Sequence, residues 1–275
     1  MSLSQPHVDP TLAPRRPRGT ARYYWAVFVL FFLGFCALAI DISVARWVAA
    51  GHISGDFAAL FELAEVFAHG IGIAGILVTV GILDRSQRWA LPRVVCMVLC
   101  TGMLCNLIKL MVERYRPRSF DLAQSAQDSF AGFLPLLSGG SDGQSMPSAH
   151  AASAAALAVA LAWLYPRAAI WWGALAVFAS LQRIDSLSHF PSDTLWGVAI
   201  GLLIGGGILH GWLSNPWLDR LEYRLYAGAA LHPDQVEWRQ LSAEIAQASQ
   251  FASDGAAALT RTAKPAPSRC GGKAA

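Results

Sequence analysis

The sequence predicts an all-α membrane protein, a polytopic bundle of six transmembrane helices. Of its 275 residues, 55% are hydrophobic and only 14% are charged, and the mean hydropathy is +0.41. A soluble domain carries about 25% charged residues, so the apolar excess indicates surface that faces lipid. The ten tryptophans fit aromatic residues that anchor helices at membrane interfaces. The net charge of +3 is too small to indicate nucleic-acid binding.

Six apolar runs have about the length that spans a bilayer. They are Tyr23–Ile40, Val66–Leu83, Leu91–Lys109, Ser148–Tyr165, Ala168–Arg183 and Thr194–Trp217. We therefore expect a membrane domain over residues 23–217, preceded by a disordered cytoplasmic arm over residues 1–22. The arm is too rich in proline and arginine to be a signal peptide. Residues 218–275 are expected to form a cytoplasmic tail with amphipathic helices and then a disordered end.

The loop charges predict the orientation, because cytoplasmic loops carry an excess of Lys and Arg. Arginines fall before the first run, between the second and third, and between the fourth and fifth. They are Arg15, Arg16, Arg18, Arg22, Arg85, Arg88, Arg93 and Arg167. Both termini are then cytoplasmic, and the sequence favours a bacterial inner membrane. The opposite side carries its cations almost entirely at Lys109–Arg118 and Arg183, a bias that calls for a functional reason.

The first candidate segment is KLMVERYRP, residues 109–117. Lys109 and Arg116 lie seven residues apart, about two helical turns, so both cations would share one helix face. Pro117 disfavours a helical conformation at Arg116 and predicts the end of the span there. Taken alone, the pair fits either an anion site or two snorkelling side chains at a helix end.

The second candidate segment is SMPSAH, residues 145–150. Pro147 suits the first turn of a helix, and the alanine-rich run that follows is strongly helical. The backbone N–H groups of Ser148 and Ala149, the Ser148 hydroxyl and His150 then lie at a helix N-terminus, which attracts anions. The alternative is an ordinary interfacial helix start with a chance histidine.

The third candidate segment is QRIDSLSHFPSD, residues 182–193. His189 is expected in a tight turn, and Asp193, four residues later, is expected to accept a hydrogen bond from one imidazole nitrogen. The other nitrogen would then be free to attack a substrate, as in a hydrolase triad. The alternative is an interfacial histidine and a helix-capping aspartate.

Together the three segments resemble the signature motifs of the type 2 phosphatidic acid phosphatase family, the membrane lipid phosphate phosphatases. The family pattern is K-x6-RP, then PSGH, then SR-x5-H-x3-D. This chain has Lys109-x6-Arg116-Pro117, Pro147-Ser148-Ala149-His150 and Arg183-x5-His189-x3-Asp193. The resemblance covers roughly residues 23–212 and implies the same six-span layout. Two positions depart from the pattern, since Ala149 replaces glycine and Gln182 replaces serine.

The resemblance implies a catalytic set of His189, His150 and Asp193. His189 would attack phosphorus and form a phosphohistidine, oriented by Asp193, and His150 would protonate the leaving group and then activate water. The phosphoryl oxygens would be held by five groups, Lys109, Arg116, Ser148, Ala149 and Arg183. Three cations can neutralise a phosphoryl group, so we expect no metal and no cofactor. Because the two histidines need opposite protonation states, a bell-shaped pH profile is expected.

The expected partners are the lipid bilayer and a lipid phosphate or diphosphate whose chains stay in the membrane. Phosphatidic acid, phosphatidylglycerol phosphate, undecaprenyl diphosphate and a lipid A phosphate all fit, and the sequence does not choose among them. Two alternatives stay open, a lipid phosphotransferase with the same site and a non-catalytic anion-binding or transport protein. The loop Ser119–Ser145, with Phe130 and Phe133, is either a head-group lid or a connecting loop, and the second is favoured. His69 is expected to be a helix-packing residue.

Overall fold

The computed structural model describes residues 21–53, 55–134, 136, 140–213 and 216–230. The chain divides into two units, residues 1–226 and 227–275, and the account below concerns the first. Most of the expected N-terminal arm and the end of the expected tail lie outside the described residues. Those two expectations therefore stay predictions.

The described residues form nine α-helices and one short β-ribbon. The helices are α1 (Ala21–Ala37), α2 (Asp41–Ala49), α3 (Gly55–Glu65), α4 (Gly70–Leu83), α5 (Leu91–Met111), α6 (Ala149–Leu164), α7 (Ala169–Asp185), α8 (Pro191–Leu209) and α9 (Pro216–Ala230). Strands β1 (Val112–Arg114) and β2 (Phe130–Phe133) pair antiparallel, with Val112 opposite Phe133. Short 3₁₀ turns cover Arg85–Ala90, Pro117–Ser119, Gln127–Ser129 and Pro166–Ala168. The fold is therefore mostly helical, as predicted, with a ribbon that the sequence did not predict.

Each of the six predicted spans contains a helix, but length and composition support fewer spans than six. Among the described residues, Arg85–Met111 and Pro191–Leu209 are long and apolar enough to cross a membrane. The total rises to four if two bent pairs each count as one span, α1 with α2 (72°) and α3 with α4 (63°). Helix α6 is apolar but has only 16 residues. The six-span layout therefore stays a prediction.

Two predicted boundaries differ from the structure because the chain turns inside an apolar run. The second predicted span begins at Val66, yet α4 begins only at Gly70 after the bend that follows α3. A Cβ on Gly72 would collide with the carbonyl of Val66, so this bend needs glycine at that position. The sixth predicted span extends to Trp217, whereas α8 ends at Leu209 and Trp217 belongs to α9.

Helix α6 lies at the centre of the bundle and packs against α5, α7 and α8. Its small alanines are buried around most of its circumference, which lets neighbouring helices approach closely. The closest approach is to α8, where a Cβ on Gly197 or Gly201 would collide with the carbonyl oxygens of Ser148 and Ala152. This contact places the first turns of α6 and α8 side by side at one end of the bundle.

The opposite end of α5 is held by a buried ionic cluster. Arg93 is fully buried and donates to Glu222 at 2.5 and 2.8 Å, to Asp219 at 2.7 Å and to the carbonyl of Ile208 at 2.9 Å. Glu222 and Asp219 belong to α9, the described part of the expected amphipathic tail. This cluster therefore ties α9 to α5 and α8.

Candidate active site

The three cations predicted to bind phosphate lie at one end of the bundle, around one histidine. Lys109 is buried in the last turn of α5, Arg183 is buried in the last turn of α7, and Arg116 follows β1 half-buried. The positive charges of all three act on the imidazole of His189, in the turn between α7 and α8. The structure therefore brings together groups from the first and third predicted motifs.

The imidazole of His189 is held by a backbone carbonyl. Its Nδ1 lies 2.6 Å from the carbonyl oxygen of Ser145, and the side chain is only 2% exposed. A carbonyl oxygen only accepts hydrogen bonds, so Nδ1 carries the proton and Nε2 keeps its lone pair. The turn before it is tight, since Leu187 has a φ of 51° and the N–H of His189 donates to the carbonyl of Arg183 at 3.1 Å. The ring is thus fixed in the tautomer that an attacking nitrogen requires.

The surroundings of His189 favour its neutral form. Burial lowers the pKa of His189 well below its ordinary value, and the charges of Lys109, Arg116 and Arg183 lower it further. The hydrogen bond to Ser145 opposes these effects more weakly. An unprotonated imidazole is the form that can attack phosphorus.

The expected hydrogen bond between Asp193 and His189 is corrected by the structure. The carboxylate of Asp193 is fully buried and accepts from Arg114 at 2.5 Å, from the Ser145 hydroxyl at 2.6 Å and from the N–H of Phe190 at 3.0 Å. The physical reason is its place in the first turn of α8, where a carboxylate caps a backbone N–H and meets a buried cation. Asp193 therefore contacts the Ser145 residue that holds the imidazole, rather than the imidazole itself.

Two charged residues of this site were not singled out from the sequence. Arg114, in β1, is fully buried and also pairs with Asp41 at 2.6 Å. Asp41, the first residue of α2, is fully buried as well. Arg114 stands in a sequence segment with several other cations, and nothing in that segment indicates that Arg114 is the buried one. An acidic residue directly after an apolar run, as at Asp41, was the one available signal.

The first turn of α6 has the polarity expected for an anion site, with one correction. Ser148 is the N-cap residue, so α6 begins after Pro147 rather than with it. The sequence predicted that the N–H of Ser148 is available to an anion. Instead it donates to the backbone carbonyl of Asp193 at 3.0 Å and is not free for phosphate. The N–H of Ala149 lies in the first turn, where a helix offers its own donors no acceptor.

His150 is half-buried in the same turn and lies beside a second histidine. The ring centroids of His150 and His69 are 6.0 Å apart, and His69 caps the start of α4 through a hydrogen bond from Ile71. His69 is exposed, so it is not the helix-packing residue that the sequence predicted. The bend between α3 and α4 brings it to the site, and an apolar run gives no sign of such a bend.

The cations have unused hydrogen-bonding capacity. Within the described part of the chain, neither Lys109 nor Arg116 forms an ion pair with a carboxylate, whereas Arg183 pairs with Glu65 at 2.9 Å. The buried Nε atoms of Arg116 and Arg183 have no hydrogen-bond partner among the described residues. Gln182, which replaces the family serine, accepts from Arg183 at 3.1 Å. Such donors suit an anion with several oxygens.

The loop Ser119–Ser145 is more structured than a connecting loop. It contributes β2, and the ring of Phe130 lies 4.6 Å from the guanidinium of Arg114. Phe133 is 86% exposed. The loop is therefore part of the site wall through Phe130, and the expected role as a head-group lid stays a prediction.

Comparisons with known proteins find a matching family profile and similar curated proteins. The profile of the PAP2 superfamily matches residues 90–217, which contain all three motifs. A lipid A 1-phosphatase of Rhizobium johnstonii is 36% identical over 104 residues, 38% of this chain and 40% of that protein. A lipid A 1-phosphatase of Rhizobium etli is 31% identical over 118 residues, 42% of this chain and 44% of that protein. The chain thus spans about two fifths of the length of the curated relatives it matches.

The chain also has a weaker similarity to a solved structure. The PAP2-type phosphatidylglycerolphosphate phosphatase of Bacillus subtilis is 16% identical, with a TM-score of 0.48. The similarity covers 69% of this chain and 95% of that one.

Proposed function

Because the chain belongs to the type 2 phosphatidic acid phosphatase family, we propose that it is an integral membrane enzyme that hydrolyses a lipid phosphate or diphosphate. The observation that carries this proposal is the environment of His189. Its ring is buried and neutral, its Nδ1 is bound to a carbonyl, and Lys109, Arg116 and Arg183 act on it. A neutral nucleophile among cations is the arrangement that attack on a phosphate anion needs.

In the first step, Nε2 of His189 attacks phosphorus and the bond from phosphorus to the leaving oxygen breaks. The anionic phosphate bound beside His150 favours its protonated form, and the imidazolium then gives its proton to that oxygen, so the lipid leaves as an alcohol or a lipid monophosphate. The Nδ1–H of the phosphorylated imidazole keeps its hydrogen bond to the Ser145 carbonyl, and Asp193, which accepts from the Ser145 hydroxyl, holds that residue in place.

In the second step, neutral His150 takes a proton from water, and the hydroxide attacks the phosphohistidine. The phosphorus–nitrogen bond breaks, His189 is regenerated and inorganic phosphate leaves. In both steps the phosphoryl oxygens are held by Lys109, Arg116, Arg183 and the first turn of α6. Positioning and charge neutralisation supply most of the catalysis in phosphoryl transfer, so these cations take the role that a metal ion has in other phosphatases.

A groove between α4 and α5 supports a lipid as the substrate. Apolar residues line a cavity of about 340 Å³ that includes Ile73 and Leu99. A second cavity of about 470 Å³ continues along the groove to Leu110, the neighbour of Lys109. An acyl or prenyl chain in this groove would leave its phosphate beside the cations. The names of the two rhizobial relatives make a lipid A 1-phosphate the first substrate to test.

The proposed arrangement in the membrane follows the loop charges. The six apolar helices would span a bacterial inner membrane, with both termini in the cytoplasm and His189 at the outer leaflet. Arg93, at the far end of α5 from Lys109, lies on the side where the positive residues concentrate. A phosphate in the outer leaflet would then reach the site without crossing the membrane.

The test is phosphate release by the purified protein in detergent, with a chelator present throughout. The panel contains a lipid A 1-phosphate, phosphatidic acid, phosphatidylglycerol phosphate and undecaprenyl diphosphate. We expect turnover of at least one lipid, loss of turnover in His189→Ala, and a base-stable, acid-labile phosphoenzyme that accumulates in His150→Ala. Turnover that survives in His189→Ala contradicts the proposal, and so does loss of turnover with the chelator.

The same assay separates the alternatives. A phosphotransferase would need an added acceptor before the lipid loses its phosphate, whereas a hydrolase releases phosphate into water alone. A non-catalytic anion-binding protein would bind the lipid phosphates and release phosphate from none of them.

A further inference from the structure

A fully buried arginine joins four separate segments at the base of the site. Arg114 donates from Nη1 to Asp193 and from Nη2 to Asp41, at 2.5 and 2.6 Å. The same guanidinium donates to the hydroxyls of Ser192 and Ser129, at 2.8 and 3.1 Å. The segments it joins are the start of α2, the loop before β2, the start of α8 and its own strand.

Asp41 completes the cluster from outside the three motifs. One of its carboxylate oxygens accepts from the N–H of Ser192 at 3.0 Å, and the other accepts from the Ser192 hydroxyl at 2.5 Å and from Arg114. Both Asp41 and Ser192 are fully buried, although 151 positions separate them in sequence. Asp41 therefore fixes the first turn of α8, which carries Asp193.

The cluster reaches the nucleophile through Ser145. The hydroxyl of Ser145 donates to Asp193, its N–H donates to the carbonyl of Arg114 at 2.9 Å, and its carbonyl holds His189. Ser145 is fully buried, so its three polar groups depend on these partners. A shift of Asp193 or Arg114 would move the carbonyl that sets the tautomer and direction of the imidazole.

The shape of arginine is required at position 114. Its guanidinium lies between the rings of Phe130 and Phe190, 4.6 and 4.4 Å from their centroids, while its edge donates to Asp41 and Asp193. A lysine side chain ends in a single ammonium group, which is a point charge. It cannot stack as a plane on the rings, and it lacks the two separate nitrogens that donate to the two carboxylates. Lysine at this position would keep the charge and lose the geometry.

We propose that Asp41 and Arg114 are positioning residues, which act through Asp193 and Ser145 to aim the His189 imidazole at the bound phosphate. The proposal rests on the proposed function where it concerns turnover, and on the contacts alone where it concerns the state of the ring. Asp41 lies outside residues 90–217, the part of the chain that the family profile matches.

The first test compares the kinetics of Asp41→Asn and Arg114→Lys with those of the unmodified protein. Asparagine has the shape of aspartate but not its charge, so Asp41→Asn is the milder variant. We expect kcat to fall about 100-fold in each variant, the effect of a misaligned reacting group, with little change in KM. A fall in kcat/KM that comes from KM alone would show that these residues bind substrate, and would overturn the proposal.

The matched controls lie at the other end of α5. Arg93 is equally buried and pairs with two carboxylates, and it stands sixteen residues from Lys109, about 24 Å along the helix. Arg93→Lys and Glu222→Gln should lower the melting temperature as much as the site variants do. Each control should retain the kcat of the unmodified protein per folded molecule. An equal loss of kcat in the controls would show that the site variants lose activity only because the fold is less stable, and would contradict the proposal.

The second test determines the tautomer of the His189 imidazole without any substrate. The ¹⁵N chemical shifts of His189, assigned by the loss of its signals in His189→Gln, distinguish a proton on Nδ1 from one on Nε2. Above its pKa we expect only the Nδ1–H form in the unmodified protein and in Arg93→Lys, and a mixture of both forms in Asp41→Asn and Arg114→Lys. An unchanged Nδ1–H form in Asp41→Asn contradicts the proposal, even if Arg114→Lys does not fold and no lipid phosphate proves to be a substrate.

Discussion

The resting charge of His189 follows from three features of its surroundings. The ring is buried, it has cations around it, and the carbonyl at its Nδ1 is neutral. A charged imidazole would lose solvation and meet like charges, so the pKa of His189 lies below the ordinary histidine value of about 6.5.

This direction predicts the pH response of His189. As pH falls from neutrality through about 6.5, the unfolded chain binds a proton at this position and the folded protein does not. The ring therefore stays neutral, and the contribution of His189 to the free energy of unfolding decreases as pH falls. An NMR titration of the His189 ring carbons measures the midpoint. A midpoint at or above 6.5 contradicts this environment.

The sequence predicted the cations and the histidine of the candidate site better than the groups that hold them in place. Lys109, Arg116, Arg183 and His189 were predicted from the spacing of the motifs, and the structure brings them together. The carbonyl of Ser145 was not predicted, because a backbone acceptor has no signature in the side chains. Arg114 resembled its cationic neighbours, since burial is decided by contacts between segments distant in sequence.

The contact between α6 and α8 sets the shape of the site at the level of helices. The glycines of α8 lie against the backbone of α6. The first turns of the two helices are therefore close enough for the N–H of Ser148 to donate to the carbonyl of Asp193. The distance between His150 and His189 therefore depends on how closely two helices approach.

Gly201→Ala tests this contact. Its new Cβ would collide with the Ala152 carbonyl and lie 2.8 Å from the Cβ of Ala155, so we expect a loss of about 1–3 kcal/mol in the free energy of unfolding. Gly173→Ala in α7 is the control, since no atom lies within 4 Å of its added Cβ. Alanine should stabilise that helix by up to about 1 kcal/mol. Thermal unfolding in detergent compares them, and equal melting temperatures would contradict the close approach.

The positions of the helices were easier to predict than their interruptions. Long apolar runs located a helix in each of the six predicted spans, because a helix that faces lipid carries few charges. The bend before Gly70 and the end of α8 at Leu209 fall inside such runs. Apolar composition is the same on both sides of a bend, so hydropathy cannot locate it.

Among the residues that the structure describes, the candidate site and the ionic cluster of Arg93 lie near opposite ends of helix α5. Lys109 and Arg93 lie near opposite ends of α5. Most of the apolar surface of this helix is not covered by other parts of the protein. A helix of this length and composition could cross a bilayer, and we propose that its two ends lie on opposite sides of the membrane.

Cysteine labelling tests that orientation. In a chain whose five cysteines are replaced, Gln124→Cys marks the side of His189 and Ser86→Cys marks the other side. A membrane-impermeant maleimide added to intact cells should label Gln124→Cys directly, and should label Ser86→Cys only after the membrane is opened. The reverse pattern would place the site in the cytoplasm and contradict the loop-charge prediction.

The buried cluster of Asp41, Arg114 and Asp193 also constrains how the protein is made. Its members enter the membrane in chain order, and the last carboxylate arrives with the first turn of α8. Until then Arg114 has only one of its two carboxylate partners, and the carbonyl of Ser145 has no imidazole to hold. On the proposed function, we expect a fragment that ends before α8 to release no phosphate, because Asp41 and Arg114 meet Asp193 only when the last motif docks.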